Sequence, residues 1–285
     1  MSLDTSGGAD PLLKARNQER ISEFRRLALK PLALFGYVAA VAAGIGINVF
    51  IWPAVTLVVL FWAAALADKK ARADWWESLV RTIGMTSDVP ALDFATPLLR
   101  SGDERKVDAQ AHDDARVLAL FTSTDVSHDS KGNREENNHH YTLLIYDFTA
   151  SEATVPSTMC FLSAHRRGPL GIGDDHRGSF PSAARDFDLE SVELNKKFNL
   201  RCDRDQVDVL HAVFDPAFMV WFQEHGLDFE FESGKLVVIH KTHLQRLTDF
   251  QDLMTSGDAI HAQLVRKLVP GAVAPPPAPA PAPAG

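Results

Sequence analysis

Residues 31–67 contain no charged side chain, and this run constrains the chain more than any other feature. A single membrane-spanning helix needs about 20 apolar residues, so the run is nearly twice too long for one pass. It divides at Gly44-Ile45-Gly46-Ile47-Asn48, where two glycines and an asparagine weaken a helix and favour a turn. The first arm, 31–46, is short and Ala-rich, and the second, 49–67, is the more hydrophobic. Pro53 falls in the first turn of the second arm, where its missing N–H costs little. The pattern predicts a two-helix transmembrane hairpin, or a re-entrant loop given the short first arm. A cleaved signal peptide is a poor fit, because the run starts too late and is too long for its apolar region. A buried soluble hairpin is a second alternative, but soluble cores rarely go so far without a charge.

The flanks set the orientation. Lys14, Arg16, Arg20, Arg25, Arg26 and Lys30 precede the run, and Lys69, Lys70 and Arg72 follow it. Positive residues at both ends place both termini on the cytoplasmic side. Downstream, Trp75, Trp76, Leu79, Val80 and Ile83 recur at helical spacing. Lys69, Lys70, Arg72, Trp75 and Trp76 are therefore expected at the membrane interface. Upstream, Leu13, Arg16, Arg20, Phe24 and Leu27 suggest a basic amphipathic helix, either on the bilayer or as a solvated extension of the first arm.

After Gly84 the pattern changes to that of an α+β domain with mostly antiparallel strands and packed helices. Strands are expected at 116–122 (RVLALFT), 141–148 (YTLLIYDF) and 157–163 (STMCFLS). The polar stretch 127–140 reads as an exposed hairpin loop, and 166–186 as a long loop. A further strand is expected at 197–203, followed by a helix capped by Asp205 with Val207, Leu210 and Phe214 on one face. Asp215-Pro216 opens another helix, which buries Phe218, Trp221 and Phe222 and closes on a left-handed Gly226. Asp228, Glu230 and Glu232 alternate with Phe229 and Phe231 and read as the solvated face of a half-buried strand. A Ser233-Gly234 turn then leads into strand 236–239. Thr242 with Gln245 reads as a capping box for a helix through Leu253, with a second helix over 259–268. The Pro/Ala stretch 271–285 reads as a disordered, extended tail. The expected organisation is thus a basic N-terminal segment over 1–30, the hairpin over 31–67, a juxtamembrane helix over 68–84, the cytoplasmic domain over 85–270, and the tail.

A net charge of −8 argues against nucleic acid as a partner, which would need a basic face. Cys160 and Cys202 have no metal-ligand spacing, and Cys160 in an apolar strand reads as a small hydrophobe rather than a nucleophile paired with His165. His139-His140, with His112 and His128, is the most tempting metal cluster. Adjacent strand residues point to opposite faces, so these histidines read as strand-edge residues; no metal and no cofactor is expected. Arg166 and Arg167, followed by Gly171 and Gly173, could hold an anion by cations and backbone N–H groups. They match neither a phosphate-loop nor a dinucleotide fingerprint. No spaced carboxylate pair suggests acid–base catalysis.

Three motifs carry a resemblance: Thr96-Pro97-Leu98-Leu99-Arg100-Ser101-Gly102-Asp103, then residues 190–198 (ESVELNKKF), then 213–219 (VFDPAFM). With the hairpin they resemble an uncharacterised group of bacterial, mainly actinobacterial, membrane proteins catalogued only as a domain of unknown function. In that group an "ES..FN..F" strand recurs, and Leu194 stands here in place of Phe. The resemblance spans about 31–270 and implies an integral membrane location with an α+β cytoplasmic domain. It carries over no catalytic residue. The resulting expectation is a membrane-anchored interaction or scaffolding module with the lipid bilayer and an unknown protein as partners. The alternative is an enzyme or binding domain for a lipid headgroup or phosphorylated ligand, using Arg166 and Arg167. Oligomeric state is left open.

Overall fold

The computed structural model describes residues 51–87, 95–148, 161–167 and 180–269, together with Ile21 and Leu92. The first arm of the expected hairpin, the basic N-terminal segment and the Pro/Ala tail lie outside the described residues, as do Cys160, Gly171 and Gly173. Compactness divides the chain into two units, one running through Gly84 and taking in Gln245–Leu247, the other made of Met85–Leu244 and the residues from Thr248 on.

In the first unit, α1 (Ile51–Thr82) is one continuous helix of 32 residues. The second arm and the juxtamembrane segment are therefore a single element. Its polar half is supported by i, i+4 ion pairs: Asp68 with Arg72, Lys70 with Asp74 at 3.7 Å, and Glu77 with Arg81 at 3.1 Å. Gly84, at φ 76°, ends it, its N–H donating to the Arg81 carbonyl at 3.2 Å. Among the described residues, no helix is long and apolar enough to cross a membrane.

The second unit is α+β. Eight antiparallel strands form one sheet: β1 (Glu104–His112), β2 (Arg116–His128), β3 (Arg134–Asp147), β4 (Leu162–Arg166), β5 (Ala184–Phe187), β6 (Phe198–Asp203), β7 (Asp228–Glu232) and β8 (Lys235–His240). They lie in the order β1-β2-β3-β8-β7-β4-β6-β5, so the β7–β8 hairpin is inserted between β3 and β4. The helices are α2 (Val192–Lys197), α3 (Val207–Val213), α4 (Pro216–His225) and α5 (Leu247–Leu268).

Cross-strand register assigns the faces. Pairs such as Leu143↔Ile239 and Ile145↔Val237 put Phe121, Tyr141, Leu143, Ile145, Val237 and Ile239 on one face, where Leu98 and Leu99 cover them. The alternate residues face the helices. Phe229 on that side meets Phe214 and Phe222 at ring distances of 6.4 and 5.9 Å, and Phe198 meets Phe222 at 4.7 Å. Aromatic clusters of this kind contribute large buried area plus specific edge and offset contacts.

Several expectations are corrected. Residues 127–140 are mostly strand: β2 and β3 run on to His128 and from Arg134, leaving a tight connection in which the Asp129 carboxylate accepts the N–H groups of Lys131 and Asn133, each at 2.8 Å. The strand tips there are exposed on both faces, so no apolar alternation marks them. Residues 192–197 are a helix, not a strand, because the Ser191 hydroxyl caps it by accepting the Leu194 N–H at 3.2 Å. The long loop expected over 166–186 contains the start of edge strand β5, and β1 is a polar edge strand that the pattern did not suggest. Asp205 lies in a short 3-10 turn, and no side-chain cap bond forms at the start of α3. Thr242 and Gln245 do not open a helix. α5 starts at Leu247 and runs unbroken through Ser256-Gly257, since Gly257 is where the helix comes against Leu144 and the Tyr146 hydroxyl. Asp215 does cap α4, accepting from Phe218 N–H at 2.9 Å. Ser233 and Gly234, at φ 54° and 73°, form the expected tight turn.

Gly226 is not left-handed: its φ is −64°. Glycine is required there for space, because a Cβ would stand 2.4 Å from the Phe222 carbonyl oxygen and 2.7 Å from its ring. Gly226→Ala is therefore expected to lower stability by about 1–3 kcal/mol, the range for overpacking. Urea unfolding of the variant against the wild type measures it.

Candidate functional site

The largest departure from the sequence reading is on β7. Asp228 and Glu230 are not solvated; they are 3% and 0% exposed. They pair with Ile239 and Val237 and so share the face that the 95–101 turn covers. The Leu98 N–H donates to Glu230 Oε2 at 2.9 Å. Beside them, β4 brings in His165, which pairs with Asn199 on β6 and is 2% exposed. His165 Nδ1 lies 3.7 Å from Asp228 Oδ2, and Nε2 lies 3.4 Å from Glu230 Oε1. Lys241 reaches Asp228 at 3.0 Å from the end of β8, and the Arg166 N–H donates to its other oxygen at 2.9 Å.

A buried charge persists only when paired and hydrogen-bonded. Burial alone would favour a neutral His165, but Asp228 and Glu230 outweigh it and push the imidazole up to about 9. Burial would likewise raise the Asp228 carboxyl, yet His165 and Lys241 hold it below its ordinary value. The buried imidazole thus lies between two carboxylates, which favour its protonated form. Further along the same face, Arg201 pairs with Asp186 and lies over the Phe180 ring at 4.1 Å, and Phe180 stands 6.0 Å from His165. His165, Asp228 and Glu230 are buried, whereas Asp186 at the far end of this row is exposed. The sequence offers His165 only as a neighbour of Cys160, because the alternation of β7 conceals its carboxylates.

The sequence-proposed anion site is only partly described. The Arg166 guanidinium donates to the Gly226 carbonyl at 2.8 Å and lies 5.6 Å from the Phe198 ring centroid. Arg167 donates from its backbone to the Lys197 carbonyl at 2.8 Å, and its guanidinium is 3.8 Å from Asp188. Both arginines are thus engaged by the protein. Of the residues expected at a membrane interface, Lys69, Lys70 and Arg72 are exposed on α1, while Trp75 and Trp76 are buried with ring centroids 6.3 Å apart.

The histidines separate as the strand period predicts. His139 faces Asp125 at 3.5 Å, and His140 turns to the other face. His112 exchanges backbone hydrogen bonds with Thr86, and His128 sits at the exposed hairpin tip. His140, however, is joined by two residues that sequence reasoning missed, Asp108 and His243. Asp108 occupies an irregularity in the pairing of β1 with β2, and His243 lies just past β8. Nothing in their local sequence marks either.

The charge group makes stability depend on pH. Since the folded imidazole titrates near 9 and an unfolded one near 6.5, its contribution is complete below the unfolded value and is lost as pH rises through about 9. Denaturant unfolding of the wild type is expected to show stability falling between neutral pH and pH about 9.5. In His165→Gln that part of the slope should disappear, although the variant is less stable throughout.

No family model, curated protein or solved structure matches the chain.

Proposed function

We propose that this chain is a membrane-anchored module whose α+β domain works at the inner surface of a bilayer by holding a partner there, not by turning over a substrate. One observation supports the anchor above the rest. Leu57, Val58, Val59, Leu60, Phe61 and Trp62 are successive on α1 and are all exposed, from 42% to 75%. At about 100° per residue, six in a row cover the whole circumference, whereas a helix of a soluble domain shows one apolar stripe. An apolar surface of that kind favours lipid or a second helix over water.

Lengths refine the reading. The apolar part of α1, residues 51–67, rises about 25 Å at 1.5 Å per residue, slightly less than the roughly 30 Å hydrocarbon layer. A shallow or re-entrant insertion paired with residues 31–46 suits it better than an upright solitary span. Lys69, Lys70 and Arg72 follow at once, are exposed, and suit the headgroup level on the inner side, whereas Trp75 and Trp76, one turn beyond, are buried and add nothing to the anchor.

An interaction role, not catalysis, is supported by the burial of His165, Asp228 and Glu230, which keeps these titratable groups from the surface. The engagement of Arg166 and Arg167 by protein groups counts against the headgroup-binding alternative. The expected outcome is that the full chain stays with membranes after alkaline carbonate extraction. Phe61→Asp combined with Trp62→Asp should release it, and wild-type protein recovered in the soluble fraction would end the anchor reading.

A further inference from the structure

We propose that Asp108, His140 and His243 form a binding site for a divalent first-row transition-metal ion such as zinc. Two imidazoles and a carboxylate are the donor set that such ions select, and three protein ligands leave positions open for solvent or another ligand. One ligand atom from each residue lies within 4.8 Å of the others. Around a tetrahedral ion with bonds of about 2.0–2.2 Å, ligand atoms stand about 3.4 Å apart. The set therefore needs a contraction of little more than an ångström, within reach of side-chain torsions.

Three separate parts of the fold converge to make this set. Register passes from Val107↔Phe121 to Ala109↔Leu120, leaving Asp108 as the extra residue of a bulge, a device that re-aims a side chain. His140 pairs directly with Thr122 on β2, and the ring of His243 meets that of His140 at a centroid distance of 4.7 Å. The loop bearing His243 is fixed by the buried Thr142 hydroxyl, which donates to the Thr242 carbonyl at 2.8 Å and accepts the Leu244 N–H at 2.9 Å.

Thr122 links the ligands. Its hydroxyl donates to Asp108 Oδ2 at 2.5 Å and lies 3.0 Å from His140 Nδ1, the orienting role that outer hydrogen bonds play at metal sites. His243 Nε2 stands 3.7 Å from Asp108 Oδ2 and 3.2 Å from the Phe121 carbonyl. Lys106 pairs with Asp108 Oδ1, and the other oxygen, Oδ2, is the one nearest His243. His140 and Asp108 are exposed and His243 half-buried, so an ion can enter.

The test uses the full chain purified in detergent, stripped with a chelator, and titrated with zinc alone by calorimetry and metal analysis. One equivalent per chain is expected. His140→Gln, His243→Gln and Asp108→Asn should each weaken binding by more than the 10–100-fold typical of an outer-sphere change, Thr122→Val by about tenfold, and His139→Gln not at all. Unchanged metal-free circular dichroism and melting show that a variant is folded, and zinc should raise the melting temperature of the wild type but not of His140→Gln. Failure of the wild type to bind zinc would overturn the proposal, as would equal affinity in a folded His140→Gln, His243→Gln double variant.

Discussion

The charge that β7 carries into the interior governs how the domain is assembled. A strand with carboxylates on one face and phenylalanines on the other would ordinarily lie with the carboxylates in water. Here both faces are covered, so Asp228 and Glu230 need cations and N–H donors brought to them. His165 comes from the neighbouring strand, Lys241 from the end of β8, and the Leu98 N–H from the turn over that face. Replacing one member leaves another charge buried and unpaired, which costs more than the pair itself contributes. The insertion of the β7–β8 hairpin between β3 and β4 is therefore tied to this group as well as to Phe229 and Phe231.

The helix-bearing face is held by apolar contact and by polar links, among them Gln263 on α5, which donates to the Val213 carbonyl, and Lys267, which pairs with Asp215 at 3.0 Å. Tyr146 donates to Asp258 on α5 at 2.6 Å, Arg116 pairs with the same carboxylate, and His261 stacks on the Tyr146 ring at 4.4 Å. α5 is thereby fixed over β2 and β3 by the side that carries Gly257. Ion pairs on the polar half of α1 are exposed and so contribute little each; the continuity of that helix rests on its Ala-rich composition and the absence of a breaker between Pro53 and Gly84.

Much of the fold was legible in the sequence wherever one physical signal dominated. The Asp215-Pro216 helix start, the Ser233-Gly234 turn and the apolar centres of β2, β3 and β8 were read correctly because caps, turn residues and β-branched runs are local. The errors share a cause. β7 alternates, and alternation implies one wet face only when nothing lies over it; the 95–101 turn that covers it is remote in sequence. The tips of β2 and β3 and the edge strand β1 are polar because they lie beyond the covered sheet, so pairing without burial left no periodic trace. Ser191 looked like part of a strand motif, although a serine three residues before a buried leucine can equally cap a helix. For the candidate sites, the separation of His139 from His140 was legible from the strand period. The meeting of His140 with Asp108 and His243 was not, since it depends on a bulge and on a loop docked by Thr142.

The state of His165 tests this account most directly. Nitrogen-15 spectra of the imidazole side chains, recorded on the folded protein at a pH of about 7.5, a unit above the ordinary histidine value, report whether each ring nitrogen bears a proton. The account predicts that both His165 nitrogens are protonated there, with slow solvent exchange. A neutral single tautomer, or a ring exchanging as freely as His128, would contradict a buried imidazolium between Asp228 and Glu230 and the two-sided burial of β7 with it.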